Sequence, residues 1–89
     1  MSDRYQQRGA IEAAALEDGM ILLDPETNEF SVLNPTASAI WARVAQPATS
    51  EEITTEIVTR FAEVTEGAAR SDVEDMLREM VKRRLITRV

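Results

Sequence analysis

The sequence predicts an α+β domain in which short strands come first and three helices follow. Three observations lead there. Two short apolar runs, Met20-Ile21-Leu22-Leu23 and Glu29-Phe30-Ser31-Val32-Leu33, flank the turn-prone Asp24-Pro25-Glu26-Thr27-Asn28. After them, apolar residues recur at 3–4 spacing in three successive segments. Each of those segments opens on residues suited to capping a helix.

Residues 1–9 read as a flexible polar N-terminal arm whose only large apolar group is Tyr5. Residues 11–16, Ile-Glu-Ala-Ala-Ala-Leu, are ambiguous. Alanine and glutamate favour helix, whereas the shortness of the run and the following Asp18-Gly19 favour a strand closed by a hairpin. Residues 20–23 and 29–33 then form a hairpin across the Pro- and Asn-containing loop. In its second strand Phe30 and Val32 share one face, and Ser31 and Leu33 share the other.

Asn34-Pro35 starts the first helix, with Asn34 as cap and Pro35 at the first helical position. Ala37, Ile40, Trp41 and Val44 lie on one face, and Gln46-Pro47 ends the run. Thr49-Ser50-Glu51-Glu52 is a capping box, and Ile53, Ile57, Val58 and Phe61 are the buried stripe behind it. Glu66-Gly67-Ala68-Ala69 reads as a connector. Ser71-Asp72-Val73-Glu74 reads as a second capping box, opening a helix with Val73, Met76, Leu77, Met80 and Val81 at amphipathic spacing. Its acids come early and its bases late, as the helix dipole favours. Residues 85–89 close the chain as a short extended tail.

At 89 residues the chain holds one domain, residues 10–89. It contains no cysteine and no histidine. That removes thiolate and imidazole metal ligands and the commonest general base. No catalytic residue, metal or cofactor is expected. The start of the chain has no apolar signal core, and no run approaches the roughly 20 residues needed to cross a bilayer, so a cytoplasmic protein with no membrane partner is expected. The net charge of −6 lowers the prospect of nucleic-acid binding.

Other constellations give little. Glu51-Glu52 and Glu52/Glu56 can be drawn as a carboxylate dyad, yet acids at a helix start already serve the dipole. Ser2, Ser31, Ser38, Ser50 and Ser71 have no histidine or nearby lysine to activate them. The glycines at 9, 19 and 67 form no phosphate loop. An acyl carrier protein would need an Asp-Ser-Leu attachment site, which is absent. Trp41 and the Met76/Met80 pair read first as core. Lys82-Arg83-Arg84 reads first as a favourable helix end.

Strands with three helices also outline a winged helix-turn-helix, which leaves a DNA-binding regulator as an alternative. The acids Asp72, Glu74 and Asp75 would turn negative charge toward phosphates, against that alternative.

Residues Ile21-Leu22-Leu23-Asp24, Val32-Leu33-Asn34-Pro35-Thr36-Ala37 and Ala39-Ile40-Trp41 resemble the coenzyme PQQ synthesis protein D family, also called the RiPP recognition element. Pro47-Ala48-Thr49-Ser50-Glu51-Glu52-Ile53 fits that family's next helix start, and Leu85-Ile86 its terminal apolar pair. The resemblance implies a three-stranded antiparallel sheet followed by three helices, which tips residues 11–16 toward strand. It also implies a non-catalytic adaptor, most like the stand-alone leader-binding proteins of lasso-peptide biosynthesis, with the PQQ-pathway precursor chaperone as runner-up. The implied partners are a precursor's leader peptide and the leader protease or other modifying enzyme that receives it.

The family places the leader along its third strand and against its third helix. Here those segments are Glu29, Phe30, Ser31, Val32 and Leu33, with Asp72, Val73, Met76, Glu79, Met80 and Arg83. Val73, Leu77 and Met80 point to the core, whereas Asp72, Met76, Glu79 and Arg83 form the flank expected to line the groove. Where relatives carry glycine before the terminal pair this chain has Arg84. A left-handed backbone there would cost about 1 kcal/mol.

Overall fold

A computed structural model describes residues 3–89. The elements run β1 (Arg4–Gln7), β2 (Glu12–Leu16), β3 (Gly19–Asp24), β4 (Glu29–Leu33), α1 (Pro35–Arg43), β5 (Ala48–Thr49), α2 (Ser50–Arg60), α3 (Glu66–Lys82) and β6 (Ile86–Arg88). The mixed fold contains the expected three-stranded antiparallel sheet, in the order β2-β3-β4, and the expected three helices. The ambiguous residues around 12–16 are a strand, paired from Glu12↔Leu23 to Leu16↔Gly19.

Sequence explains this sheet locally. Its second hairpin closes where Asp24 Oδ1 accepts from the Glu26 amide at 3.0 Å and Asn28 adopts a left-handed φ of 61°. Asparagine tolerates that conformation. Gly19 is required by close approach: a Cβ there would collide with the Leu33 carbonyl. Alternation then sends Leu22, Ser31 and Leu33 inward, where they are buried, and leaves Phe30 and Val32 exposed.

Asn34 caps α1 by accepting from the Ala37 amide at 2.8 Å, with Pro35 beginning the helix. The capping box of α2 forms in both directions: the Glu52 amide donates to Thr49 Oγ1 at 3.1 Å, and the Thr49 amide donates to Glu52 Oε1 at 2.8 Å. Ile40, Trp41, Val44, Ile53, Ile57, Val73, Leu77 and Met80 meet Leu22 and Leu33 in one core. Fully burying such a side chain contributes roughly 1.5–3 kcal/mol, so this cluster dominates stability.

Two expectations change. The third helix starts at Glu66, not at Ser71, and its cap is Thr65, whose Oγ1 accepts from the Ala68 amide at 3.3 Å. Glu66-Gly67-Ala68-Ala69 is its first turn rather than a connector, and the Ser71 box lies inside the helix. Two alanines and a glutamate outweigh the roughly 1 kcal/mol cost of one glycine.

Arg4–Gln7, within the segment expected to be a flexible arm, is the central strand of a second sheet, β5-β1-β6. Its pairing is tied further by Gln7, whose amide donates to the Val44 carbonyl at 2.8 Å and whose side-chain Nε2 donates to the Trp41 carbonyl at 2.7 Å. The Arg88 guanidinium lies 6.0 Å over the Tyr5 ring. The tail expected after residue 85 is β6.

Candidate functional site

The site forms where β4, an edge strand, runs beside α3. Because β4 pairs only with β3 among the described residues, its other edge presents backbone donors and acceptors outside any ladder. On the helix, 3.6-residue periodicity turns Val73, Leu77 and Met80 under the domain and brings Met76 half-buried to the rim. Glu79 and Arg83, one turn apart, hold each other at 3.0 Å along that rim. Both are about half exposed, so their pairing contributes little stability and leaves them free to exchange partners.

Between strand and helix lies an open groove in two connected parts. One, of about 240 Å³, is mainly apolar and is lined by Leu33, Ala37, Met76, Met80 and Leu85 with Val32 at its lip. The other, of about 330 Å³, is polar and holds Glu29, Thr27 and Asp24 opposite Lys82, Arg83 and Arg84. Ser31, Glu79, Arg83 and Leu85 line both and join them.

Leu85 reaches the groove through the way α3 ends. The Leu85 amide donates to the Met80 carbonyl at 2.9 Å and the Arg84 amide to the Val81 carbonyl at 3.0 Å. That is the Schellman pattern, and it needs a left-handed residue at Arg84, whose φ is 62°. Arg8 braces the polar end: its Nη1 donates to the Arg84 carbonyl at 2.8 Å, and its guanidinium lies 3.9 Å from Asp24 and 3.5 Å from Glu26.

Of the residues singled out from sequence, Ser31, Val32, Leu33, Met76, Glu79, Met80 and Arg83 line the apolar part, and Glu29 lines the polar part. Three do not join them. Phe30 turns to the opposite face of the sheet, beside Ile21 and Leu23. Val73 is completely buried beneath the helix. Asp72, a turn further toward the helix start, is exposed and lines neither part. Also lining the groove, and not singled out for it from sequence, are Asn34, Ala37, Lys82, Arg84, Leu85 and the loop residues Asp24 and Thr27. A small residue one turn into α1, directly after the edge strand, was the available signal for Ala37.

Residues 19–86 match the family described as coenzyme PQQ synthesis protein D (PqqD). The chain belongs to the PqqD family. Its fold is similar to that of a solved structure titled "TbiB1 in Complex with the TbiA(beta) Leader Peptide", with a TM-score of 0.80 and 25% identity over 91% of this chain and 93% of that one. It is also similar in fold to "Lasso peptide synthetase B1 complexed with the leader peptide", with a TM-score of 0.79 and 24% identity over 93% of this chain and 96% of that one. No curated protein matches the sequence. In this PqqD-family chain no helix among the described residues is long and apolar enough to cross a membrane.

Proposed function

We propose that this protein is a non-catalytic adaptor that binds the leader segment of a ribosomally made precursor peptide and hands it to a leader protease or other modifying enzyme, in a pathway of the lasso-peptide type. One observation carries the reading: the edge of β4, unpaired among the described residues, borders a groove whose floor is apolar and whose far end is charged. An extended peptide adding to that edge gains backbone hydrogen bonds, and its alternate side chains enter the groove. The leader complexes among the similar solved structures support it.

In this reading Met76, Leu33 and Ala37 receive an apolar leader side chain, with Met76 adapting its shape. Glu79 and Arg83 exchange their mutual contact for polar leader groups. The protein contains neither the histidine nor the cysteine that would make such a groove reactive. A DNA-binding role is disfavoured by the acids of α3, Asp72, Glu74 and Asp75, all exposed on the helix that would enter a groove.

Hydrogen exchange with and without the precursor's leader tests the proposal. The expected result is added protection over residues 29–33 together with residues 76–85. Protection confined to α2 would place the binding surface elsewhere.

A further inference from the structure

We infer that the outer face of the β2-β3-β4 sheet is the docking surface for the enzyme that receives the leader, which meets it with an apolar patch rimmed by lysine and arginine. The inference rests on the adaptor reading for the identity of the enzyme. The helices pack against the inner face, where Leu22, Ser31 and Leu33 are buried. On the outer face, register aligns Ala14, Ile21 and Val32 in one cross-strand row and Glu12, Leu23 and Phe30 in the next. Phe30 is 64% exposed, Val32 71% and Leu16 46%. Contiguous large apolar groups left in water on one sheet face mark a contact surface rather than scattered surface residues.

Charge indicates which partner. From Gly9 to Ala42 the chain has no lysine or arginine and six acids: Glu12, Glu17, Asp18, Asp24, Glu26 and Glu29. Arg8 lies against Asp24 and Glu26, and Glu29 lines the groove, which leaves Glu12, Glu17 and Asp18 at this face with no ion pair among the described residues. A second copy laid face to face would bring acidic rim against acidic rim, and an anionic bilayer would be repelled in the same way. A basic rim around an apolar centre complements both features. The face also runs to the edge where a leader strand would add, and every second residue of that strand would extend it. One enzyme surface could therefore touch adaptor and leader together.

The test uses Ala14→Lys with Leu16→Lys, two exposed positions on β2, the edge opposite β4. Wild type and variant are titrated against the leader peptide, and separately against the purified leader-processing enzyme encoded with the precursor, at low and high salt. Expected are leader affinity within about twofold, enzyme affinity lower by about tenfold or more, and wild-type enzyme binding that weakens with salt. A second variant, Glu12→Lys with Glu17→Lys, keeps the apolar face and reverses its rim. It should lose enzyme affinity and the salt dependence, and it decides the matter if the first variant misfolds. Enzyme binding unchanged in the folded variants overturns the inference. So does a wild-type dimer, or binding to phosphatidylcholine vesicles, that the variants abolish. Enzyme binding through this face by a protein that takes no leader would support the surface while sinking the groove reading.

Discussion

Sheet β2-β3-β4 is made from consecutive segments joined by short turns, whereas sheet β5-β1-β6 gathers residues 4–7, 48–49 and 86–88 from across the chain. The first is shaped by hydrophobic alternation and turn chemistry. The second has almost no apolar pattern and depends on partners distant in sequence. Their edges differ as well. Among the described residues, β4 is a five-residue strand with an unpaired edge beside a groove, while the edges of the second sheet are strands of two and three residues, too short to template another chain. One sheet is therefore equipped to receive a peptide, and the other closes the domain.

The sharpest way to break this division is Met76→Asp. A charge placed in the apolar part of the groove should weaken leader binding by on the order of 2 kcal/mol, about thirtyfold in Kd, measured by calorimetric titration. Because Met76 is only half-buried, the melting curve should stay cooperative. Tyr5→Pro addresses the other sheet. It removes one ladder hydrogen bond from a central strand and should cost about 1–3 kcal/mol in urea unfolding while leaving leader affinity nearly unchanged. A variant that lost both would show that the two sheets do not work independently.

Arg84→Gly relieves the left-handed backbone at the end of α3 and should raise stability by about 0.5–1 kcal/mol, read as a shift of several degrees in Tm. The smallest effect concerns Glu52. Its carboxyl is held below the usual range, first by the Thr49 backbone amide and then by the Thr49 hydroxyl. A depressed folded-state pKa contributes stability above the ordinary carboxylate range and loses it as pH falls through the depressed value. Glu52→Gln keeps a side chain able to cap but removes the titration. Its unfolding curve should therefore show a weaker pH slope below about pH 4.3 than wild type.

The same contrast explains what was legible in the sequence. Asn34-Pro35, the Thr49–Glu52 box and the hairpin loop at residues 24–28 are written in neighbouring residues, and each forms as read. β1 was not legible, because Arg4-Tyr5-Gln6-Gln7 has no periodicity of its own and becomes a strand only between β5 and β6. The start of α3 misled for a different reason: a capping-box pattern at Ser71 lies within a helix already begun, and Gly67 suggested a break that its neighbours override. For the groove, the family resemblance pointed to the strand and the helix, and helical spacing grouped Asp72, Met76, Glu79 and Arg83 on one flank. It could not place Asp72 beyond the end of the groove, because spacing fixes direction around an axis and not reach along it. The loop residues Asp24 and Thr27 needed the fold itself.

β1 and β6 lie antiparallel, with Tyr5 opposite Arg88, so the first and last strands of the described chain sit side by side, in the sheet that the groove does not use. Ends so close invite rewiring. A short flexible bridge between them should allow circular permutation with new ends opened between Ala62 and Glu63, both exposed. By the same geometry, an enzyme could carry this domain at either of its own ends, or accept it as an insertion, and the groove would keep its shape.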